Sequence, residues 1–288
     1  MMQYFILLLL LITLSSQNIL TKNYFVKAKS TSPYIFSGFT VLFSLSYFTI
    51  TGASSFDFSQ ISKLLPYSLS FAVTYGLAVI SSKASIGCGP LSLSALFSYY
   101  SLMIPTFWGI FVSGDKVTFL SIGGITLLIV SIILVNLKKE DSRITPKWIF
   151  FVVLSLVSNG ICTLIQRLQQ EHFGGTYKSE FMVIALAIVA FFMLTVFISA
   201  TANRKSILSD KQLYLNAGLT GLANGFTNHM TMILVAYLSS SVMYPTISAG
   251  SIVISTLAAI FIYKERLSKM KIVGFVIGTL SVILLNIR

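Results

Sequence analysis

The chain has 288 residues, of which 55% are hydrophobic and only 10% are charged, and its mean hydropathy is +0.87. Soluble domains carry about 25% charged residues, so this composition argues against a soluble protein and predicts a polytopic membrane protein. The net charge of +12 does not indicate nucleic-acid binding, because the basic residues lie in short loops between apolar segments and not on one basic face.

Ten apolar segments follow one another along the chain, most of them about 20 residues long, which is the length that an α-helix needs to cross a bilayer. The first lacks a preceding basic residue, so we expect a retained helix and not a cleaved signal peptide. A helix break is expected at residues 87–90, which contain two glycines and a proline. The predicted spans are approximately 4–20, 33–51, 64–82, 90–112, 117–137, 148–166, 181–200, 213–235, 241–263 and 270–287.

An internal repeat is visible when the chain is aligned with itself at an offset of 150 residues. The aligned pairs include Asn136 with Asn286, Ser131 with Ser281, Gly124 with Gly274, Ser98 with Ser248, and Asp115 with Glu265. Chance similarity between apolar helices is the alternative. The polar segment 138–147 separates a first repeat, 1–137, from a second, 148–288, and we expect it to be a cytoplasmic linker. Because five spans per repeat is an odd number, the sequence predicts two inverted five-helix repeats in an all-α integral membrane protein, a construction common in secondary transporters.

Fifteen of the twenty Lys and Arg residues lie in the loops after spans one, three, five, seven and nine. The positive-inside rule therefore places those loops in the cytoplasm and both termini outside.

The C-terminal hairpin carries the pattern of a known superfamily. It has Pro245 in span nine, a Lys264-Glu265-Arg266 turn, Gly274 and Gly278 four residues apart, and a final Leu-Leu-Asn. This pattern resembles the EamA-like branch of the drug/metabolite transporter superfamily, over the whole chain in architecture and best over 236–287 in sequence. The resemblance implies ten helices in two five-helix repeats, with cytoplasmic termini, which is the opposite of the charge count.

The resemblance also bears on the substrate. Related small multidrug resistance proteins use a carboxylate inside the first span to exchange protons for cations, whereas this chain has Gln17 and Asn18 there. All eight acidic residues lie in loops or at the ends of spans. The sequence therefore argues against a strongly cationic substrate, which would require a buried anion.

Span eight contains a histidine near its middle, His229, which follows Asn224 and Asn228. Because histidine titrates in the physiological range, it is a candidate for substrate binding or proton coupling. A neutral histidine that bonds a neighbouring helix is the structural alternative. Span six carries a polar stripe of Ser155, Asn159, Cys162 and Gln166, which lines a cavity or joins helices.

Spans four and nine carry matching stripes. They comprise Ser94, Ser98 and Ser101 in the first repeat and Tyr244, Ser248 and Ser251 in the second. These stripes line a pathway or pack closely. Tyr99 could stack on a planar solute, although aromatic residues more often serve packing. For Lys83, at the end of span three, we expect the side chain to reach toward the interface, and an inward orientation would attract an anion.

We therefore predict a secondary transporter that moves a small neutral or zwitterionic metabolite by alternating access. Multidrug or cation export and lipid flipping are the alternatives, and no enzymatic activity, metal or organic cofactor is expected. The expected partners are a small-molecule substrate, the lipid bilayer and protons as a candidate coupling ion. We expect a monomer in the cytoplasmic (plasma) membrane of a bacterium. The predicted substrate-binding residues are His229, Asn228, Asn224, Asn159, Gln166, Gln17, Tyr99, Tyr244 and Ser248.

Overall fold

The computed structural model describes residues 2–27, 33–53, 56–57, 59–88, 97–115, 118–136, 145–200, 209–261 and 269–286. Within these ranges the chain forms ten α-helices and no β-strand. Numbered in chain order, they are α1 (Met2–Lys27), α2 (Pro33–Gly52), α3 (Ile61–Cys88), α4 (Met103–Phe111), α5 (Phe119–Asn136), α6 (Pro146–His172), α7 (Lys178–Ala200), α8 (Lys211–Leu234), α9 (Ser240–Phe261) and α10 (Lys269–Asn286). The all-helical class that the sequence predicts is confirmed.

Helix α4 is shorter than its predicted span. Residues 97–100 are helical, Ser101 and Leu102 form a turn, and α4 begins only at Met103. The Ser101 hydroxyl donates to the Ser98 carbonyl oxygen at 2.6 Å, a local bond that competes with the regular helical pattern. Residues 89–96, which include Ser94 and part of the predicted break at 87–90, lie outside the described residues.

Helix α6 is longer than predicted. It continues through Glu171 to His172, two residues that the sequence suggested were in a loop. Its end coincides with Gly174 and Gly175, which adopt φ angles of +58° and +80° in the left-handed region that glycine tolerates best. The Gly175 amide donates to the Gln170 carbonyl oxygen at 2.8 Å and closes the last turn.

Side chains and proline mark the beginnings of two helices of the second half. Thr145 precedes α6, and its hydroxyl accepts from the Trp148 amide at 3.2 Å, while Pro146 occupies the first helical turn, where no donor is needed. Asp210 precedes α8, and its Oδ1 accepts from the amides of the second and third residues of that helix.

Five helices are long and apolar enough, within the described residues, to cross a membrane. These segments are Gln3–Thr21, Tyr34–Gly52, Ile61–Ser85, Pro146–His172 and Lys178–Ile198. Large apolar side chains are exposed along them, for example Val73 on α3 and Phe191 on α7. Such a surface suits contact with lipid. Helix α8 has sufficient length but carries three asparagines and a histidine, which lower its hydropathy.

Contacts between the two halves of the chain, α1–α5 and α6–α10, build much of the bundle. Helix α1 packs on α8, and α6 packs on α3, so that the first helix of each half contacts the third helix of the other. Helices α2 and α7 contact each other, as do α4 and α9, and α5 and α10. Each of these last three pairs joins helices of equal rank in the two halves.

Helices α5 and α10 are joined by a reciprocal pair of hydrogen bonds. The Ser131 hydroxyl donates to the Gly274 carbonyl oxygen at 2.6 Å, and the Ser281 hydroxyl donates to the Gly124 carbonyl oxygen at 2.8 Å. These four buried residues are the ones that the 150-residue offset aligns. Counterparts in the sequence therefore make the same contact in opposite directions.

Two glycine motifs bring helices into close contact, as the sequence suggests. A Cβ atom on Gly221 would lie 2.7 Å from Phe43 Cβ, and one on Gly225 would lie 2.9 Å from Tyr47 Cβ, so α8 packs tightly on α2. On α10, a Cβ atom on Gly278 would lie 2.7 Å from the Ser131 hydroxyl oxygen.

Apolar cores surround the helices that carry the polar residues described next. The largest cluster lies among α2, α3 and α7 and includes the fully buried Phe48, Phe71 and Phe181. A second cluster joins α1 to α8 and α9 around Leu10 and Tyr244. The polar groups of α1, α2, α3 and α8 thus stand on tightly packed helices.

Candidate functional site

Asn224 of α8 lies at the centre of a group of hydrogen-bonded polar side chains. Its Nδ2 donates to Gln17 Oε1 of α1 at 3.2 Å. Its Oδ1 accepts from the Tyr75 hydroxyl of α3 at 2.7 Å and from the Ser44 hydroxyl of α2 at 3.4 Å. One asparagine therefore connects α8 to three helices of the first half.

The group continues from Asn224 along α8 to α6, another helix of the second half. Asn228 Nδ2 donates to Asn224 Oδ1 at 3.1 Å, and Gln166 Nε2 of α6 donates to Asn228 Oδ1 at 2.7 Å. We call the connected residues the Asn224 network: Gln17, Ser44, Tyr75, Gln166, Asn224 and Asn228. Four of the nine predicted site residues, Gln17, Gln166, Asn224 and Asn228, meet in it.

Asn159, also a predicted site residue, belongs to a separate polar cluster between α3 and α6. Its Nδ2 donates to the Ser82 hydroxyl at 3.3 Å, and the hydroxyls of Ser82 and Ser155 lie 2.6 Å apart. We call these three residues the Ser82 cluster. They bond helices of opposite halves to each other.

A similar cluster joins α1 to α8. Gln17 Nε2 donates to the Thr227 hydroxyl at 2.8 Å, and the hydroxyls of Thr13 and Thr227 lie 3.1 Å apart. We call Thr13, Gln17 and Thr227 the Thr227 cluster. As in the Ser82 cluster, an amide and a hydroxyl on the first helix of one half contact a hydroxyl on the third helix of the other.

His229 lies outside the Asn224 network. Its Nδ1 is 3.3 Å from the Tyr47 hydroxyl of α2, and its ring lies 5.7 Å from the Phe48 ring between centroids. Its side chain is partly exposed. The structure thus gives His229 an aromatic neighbourhood and one polar partner, and its assignment as a substrate or proton site stays a prediction.

Tyr99, Tyr244 and Ser248 are buried where α9 packs on its neighbours. The Ser248 hydroxyl donates to the Tyr99 carbonyl oxygen at 3.1 Å, which joins α9 to residues 97–100. Tyr244 is fully buried against α1, and its hydroxyl makes no hydrogen bond with the described residues. Their role in substrate binding stays a prediction.

Lys83 points into the protein. Its Nζ donates to the Thr21 hydroxyl of α1 at 3.2 Å and lies 5.6 Å from the centroid of the Phe36 ring of α2. Both partners are buried. The side chain therefore turns toward α1 and α2. The sequence analysis instead favoured a side chain that reaches toward the membrane interface.

An ionic group at the end of α6 was not anticipated from the sequence. Arg167 Nη2 lies 3.7 Å from Asp115 Oδ1, and its Nε lies 2.6 Å from Glu171 Oε1. Arg167 also donates to the Ser240 hydroxyl, and Asp115 Oδ2 accepts from the Ser241 amide at 3.0 Å. We call Asp115, Arg167, Glu171, Ser240 and Ser241 the Arg167 cluster. It bonds the loop after α4 to α6 and to the first turn of α9.

A signal for this cluster was present in the sequence but ambiguous. Arg167 follows directly on the polar stripe of span six, where its long side chain suggests a solvated helix end. The side chain is instead only 7% exposed, and that of Asp115 is 10% exposed. Their proximity depends on how α4, α6 and α9 pack. No local pattern in the sequence indicates this contact, because the two residues are far apart along the chain.

The chemistry available at the Asn224 network is neutral hydrogen bonding. Amide groups offer donors and acceptors together, and hydroxyls can act as either, so the network suits polar but uncharged groups of a solute.

Cys162 is buried, and its thiol donates to the Thr74 hydroxyl at 3.2 Å, which indicates a contact between helices. No three His, Cys, Asp or Glu side chains within the described ranges are grouped so as to hold a metal ion.

Comparison with known proteins finds a family match for the second half of the chain. Residues 146–287 match the EamA-like transporter family. No curated protein matches the sequence. Among solved structures 28 chains match, and one crystal structure aligns with 99% of this chain and 96% of its own at a TM-score of 0.78 and 11% sequence identity. At that identity, the likeness establishes the fold alone.

Proposed function

We propose a transport function from the premise that the second half of the chain, residues 146–287, belongs to the EamA-like transporter family of the drug/metabolite transporter superfamily. Membership and the apolar helices indicate a multi-pass membrane transporter. Our proposal goes further. The protein is a secondary transporter that carries a small organic metabolite, neutral or zwitterionic, by alternating access.

The Asn224 network is the observation that carries the proposal. It contains amides and hydroxyls from α1, α2 and α3 of one half and from α6 and α8 of the other. A solute that leaves water must replace its lost hydrogen bonds, and uncharged donors and acceptors do so without the cost of burying an ion. A site shared by both halves also responds when one half moves relative to the other.

Sequence counterparts support the arrangement as two inverted repeats. The reciprocal bonds between Ser131 and Gly274 and between Ser281 and Gly124 are related by exchange of the two halves. The first helices align at an offset of 142 residues, which places Thr13 and Gln17 of the Thr227 cluster on Ser155 and Asn159 of the Ser82 cluster. We therefore assign the repeats to 1–137 and 148–288. Of the linker between them, 138–147, residues 138–144 lie outside the described residues.

Alternating access requires bonds that can be exchanged at modest cost. Each neutral hydrogen bond in the Ser82 and Thr227 clusters contributes about 0.5–1.5 kcal/mol net. A solute that replaces two or three of them can therefore shift the balance between conformations. The Arg167 cluster is stronger and lies at one end of the bundle, so we assign it to the closed end.

A cationic substrate has less support. Among the described residues, the acids of the helical bundle are at helix ends: Asp115 and Glu171 pair with Arg167, and Glu180 accepts from the Asp57 amide. None belongs to the Asn224 network. We retain protons as the candidate coupling ion, with His229 as the candidate carrier, and a bacterial plasma membrane as the proposed location.

A ligand-stability screen tests the proposal. The purified protein in detergent is heated with amino acids, sugars, nucleosides and quaternary amines at pH 6 and pH 8, because a ligand of the native state raises the melting temperature. We expect a neutral or zwitterionic solute to stabilise the wild type and Asn216→Ala but not Asn224→Ala. Asn216 is the matched control, since it lies on the same helix and, within the described residues, its side chain bonds the Gln212 carbonyl oxygen one turn earlier in that helix.

The same screen separates the alternatives. If only quaternary amines stabilise the protein, the cation-exporter function replaces ours. A response that survives Asn224→Ala unchanged would remove the Asn224 network from the site. Loss of the response in His229→Ala at both pH values would assign His229 to binding, whereas loss of its pH dependence alone would assign it to proton coupling.

A further inference from the structure

Lys83 carries a positive charge on a partly buried side chain where three helices meet. Its Nζ lies 3.2 Å from the Thr21 hydroxyl and 5.6 Å from the Phe36 ring centroid. Thr21 is 3% exposed and Phe36 is fully buried. The ammonium group is therefore directed at α1 and α2 and not along the surface of α3.

The described residues provide no carboxylate for this charge. Asp115 and Glu171 pair with Arg167, Glu180 accepts from the Asp57 amide, and Asp57 accepts from Ser59. The remaining described acid, Asp210, accepts from the first turn of α8. An ammonium removed from water costs several kcal/mol unless it is paired, and a hydroxyl and a ring face compensate for only part of that cost.

Lys83 also lies next to residues of the Ser82 cluster and of the Thr227 cluster. Ser82, its neighbour in sequence, belongs to the Ser82 cluster. Thr21, its partner, is one helical turn from Gln17, which belongs to both the Thr227 cluster and the Asn224 network. A solute that contacts the Lys83 ammonium therefore has neutral amides and hydroxyls within one turn of helix.

The two halves of the chain differ in charge at the position that Lys83 occupies in the first half. Residues 76–78 and 221–223 share the sequence Gly-Leu-Ala, and this alignment places Lys83 opposite Asn228. Asn228 is neutral and is bonded by Gln166, whereas Lys83 is charged and has a hydroxyl but no carboxylate as a partner in the described part of the chain. A site between such halves is suited to a solute that carries a carboxylate at one end and further polar groups at the other, as a zwitterionic metabolite does.

We propose that Lys83 and Thr21 form an anion-binding subsite, and that the transported solute carries a carboxylate bound there. This inference rests on the proposed transport function and specifies its substrate class. An ammonium has three donors, of which Thr21 takes one, so within the described residues two are available for a carboxylate. One ammonium and one hydroxyl match a single negative charge, which favours a carboxylate over a phosphate dianion.

Thermal stability with matched ligand pairs tests the subsite. The probes are L-leucine and L-leucinamide, L-phenylalanine and L-phenylalaninamide, lactate and lactamide, and inorganic phosphate alone. The proteins are wild type, Lys83→Gln, Lys83→Arg and the control Lys63→Gln, which removes an equal charge from an exposed position of α3. We expect at least one acid to bind the wild type at least tenfold more tightly than its amide, a difference of about 1.4 kcal/mol.

The variants discriminate a ligand contact from a structural role. Lys83→Gln is expected to lose the preference for the acid, Lys83→Arg to keep part of it, and Lys63→Gln to keep it fully. Without ligand, Lys83→Gln is expected to melt at or above the wild-type temperature, because it removes a partly buried charge that has no carboxylate partner among the described residues. A Lys83→Gln protein that melts well below wild type would overturn the subsite, since it would show that the charge serves the fold.

Other outcomes distinguish this inference from the transport function. Equal stabilisation by acids and amides, or an acid preference that survives Lys83→Gln, would overturn the subsite and leave the transport function standing. A response to phosphate alone would overturn the carboxylate assignment. If no solute binds or crosses proteoliposomes, the transport function fails and the subsite fails with it.

Discussion

Asp115→Asn removes one charge from the Arg167 cluster and changes little else. An asparagine is as good an N-cap as an aspartate, so the bond from the Ser241 amide can persist. Arg167 would then keep only Glu171 as an ionic partner. The experiment therefore isolates the contribution of the ion pair between the loop after α4 and helix α6.

The expected magnitude follows from burial. Breaking a buried ion pair by removing one partner costs about 3–5 kcal/mol. Glu171 still partly neutralises Arg167, and its side chain is 39% exposed, so solvent screens that interaction. We therefore expect Asp115→Asn to destabilise the protein by about 2–3 kcal/mol, which corresponds to a decrease in melting temperature of about 5–10 °C.

Thermal unfolding in detergent, followed by intrinsic fluorescence, measures this decrease. Asp210→Asn is the matched control, because it makes the same change at the N-cap of α8, where no ion pair forms within the described ranges. Arg167→Gln in the Asp115→Asn background should cost little more than Asp115→Asn alone, since the two residues act as a pair. A melting temperature within 1 °C of wild type for Asp115→Asn would refute the reasoning.

Three further predictions use the same assay. Ser131→Ala and Ser281→Ala should destabilise equally, by about 1 kcal/mol each, because they remove equivalent bonds between α5 and α10, and unequal effects would contradict the equivalence. Gly221→Ala should cost about 1–3 kcal/mol through its clash with α2, whereas Gly76→Ala, with no atom within 4 Å of the added Cβ, should not destabilise by this route. The Ser59 amide lowers the pKa of Asp57 below its ordinary value of 3.8, so its stabilising contribution is present above that value and is lost as pH falls through the folded-state pKa. Asp57→Asn should therefore flatten the decline in melting temperature below about pH 4, and an unchanged profile would contradict the assignment.

The sequence predicted the helices and several members of the Asn224 network for physical reasons. Apolar segments long enough to cross a bilayer allow few structures other than helices, so the positions of the ten helices in the described residues could be predicted approximately. Asn224, Asn228 and Gln166 met in one network because a polar residue within an apolar helix must find a partner inside the bundle. Ser131 and Ser281, which the 150-residue offset aligns, make equivalent bonds between α5 and α10.

The remaining features depend on how helices pack. The pairing of Arg167 with Asp115 joins residues 52 positions apart and has no local signature. The direction of Lys83 is a choice of rotamer that depends on Thr21 and Phe36 in two other helices. Helix α6 runs past its predicted end because Gln169 and Gln170 are buried, and a polar run of this kind otherwise suggests a loop.

Solute counterflow in proteoliposomes tests the transport proposal most directly. Liposomes that contain the purified protein are loaded with a solute that stabilises it, and the uptake of a radiolabelled trace of the same solute is followed. We predict transient accumulation of the label by wild type and by Asn216→Ala, and none by Asn224→Ala. Absence of counterflow in wild type for every stabilising solute, or wild-type counterflow in Asn224→Ala, would contradict the account.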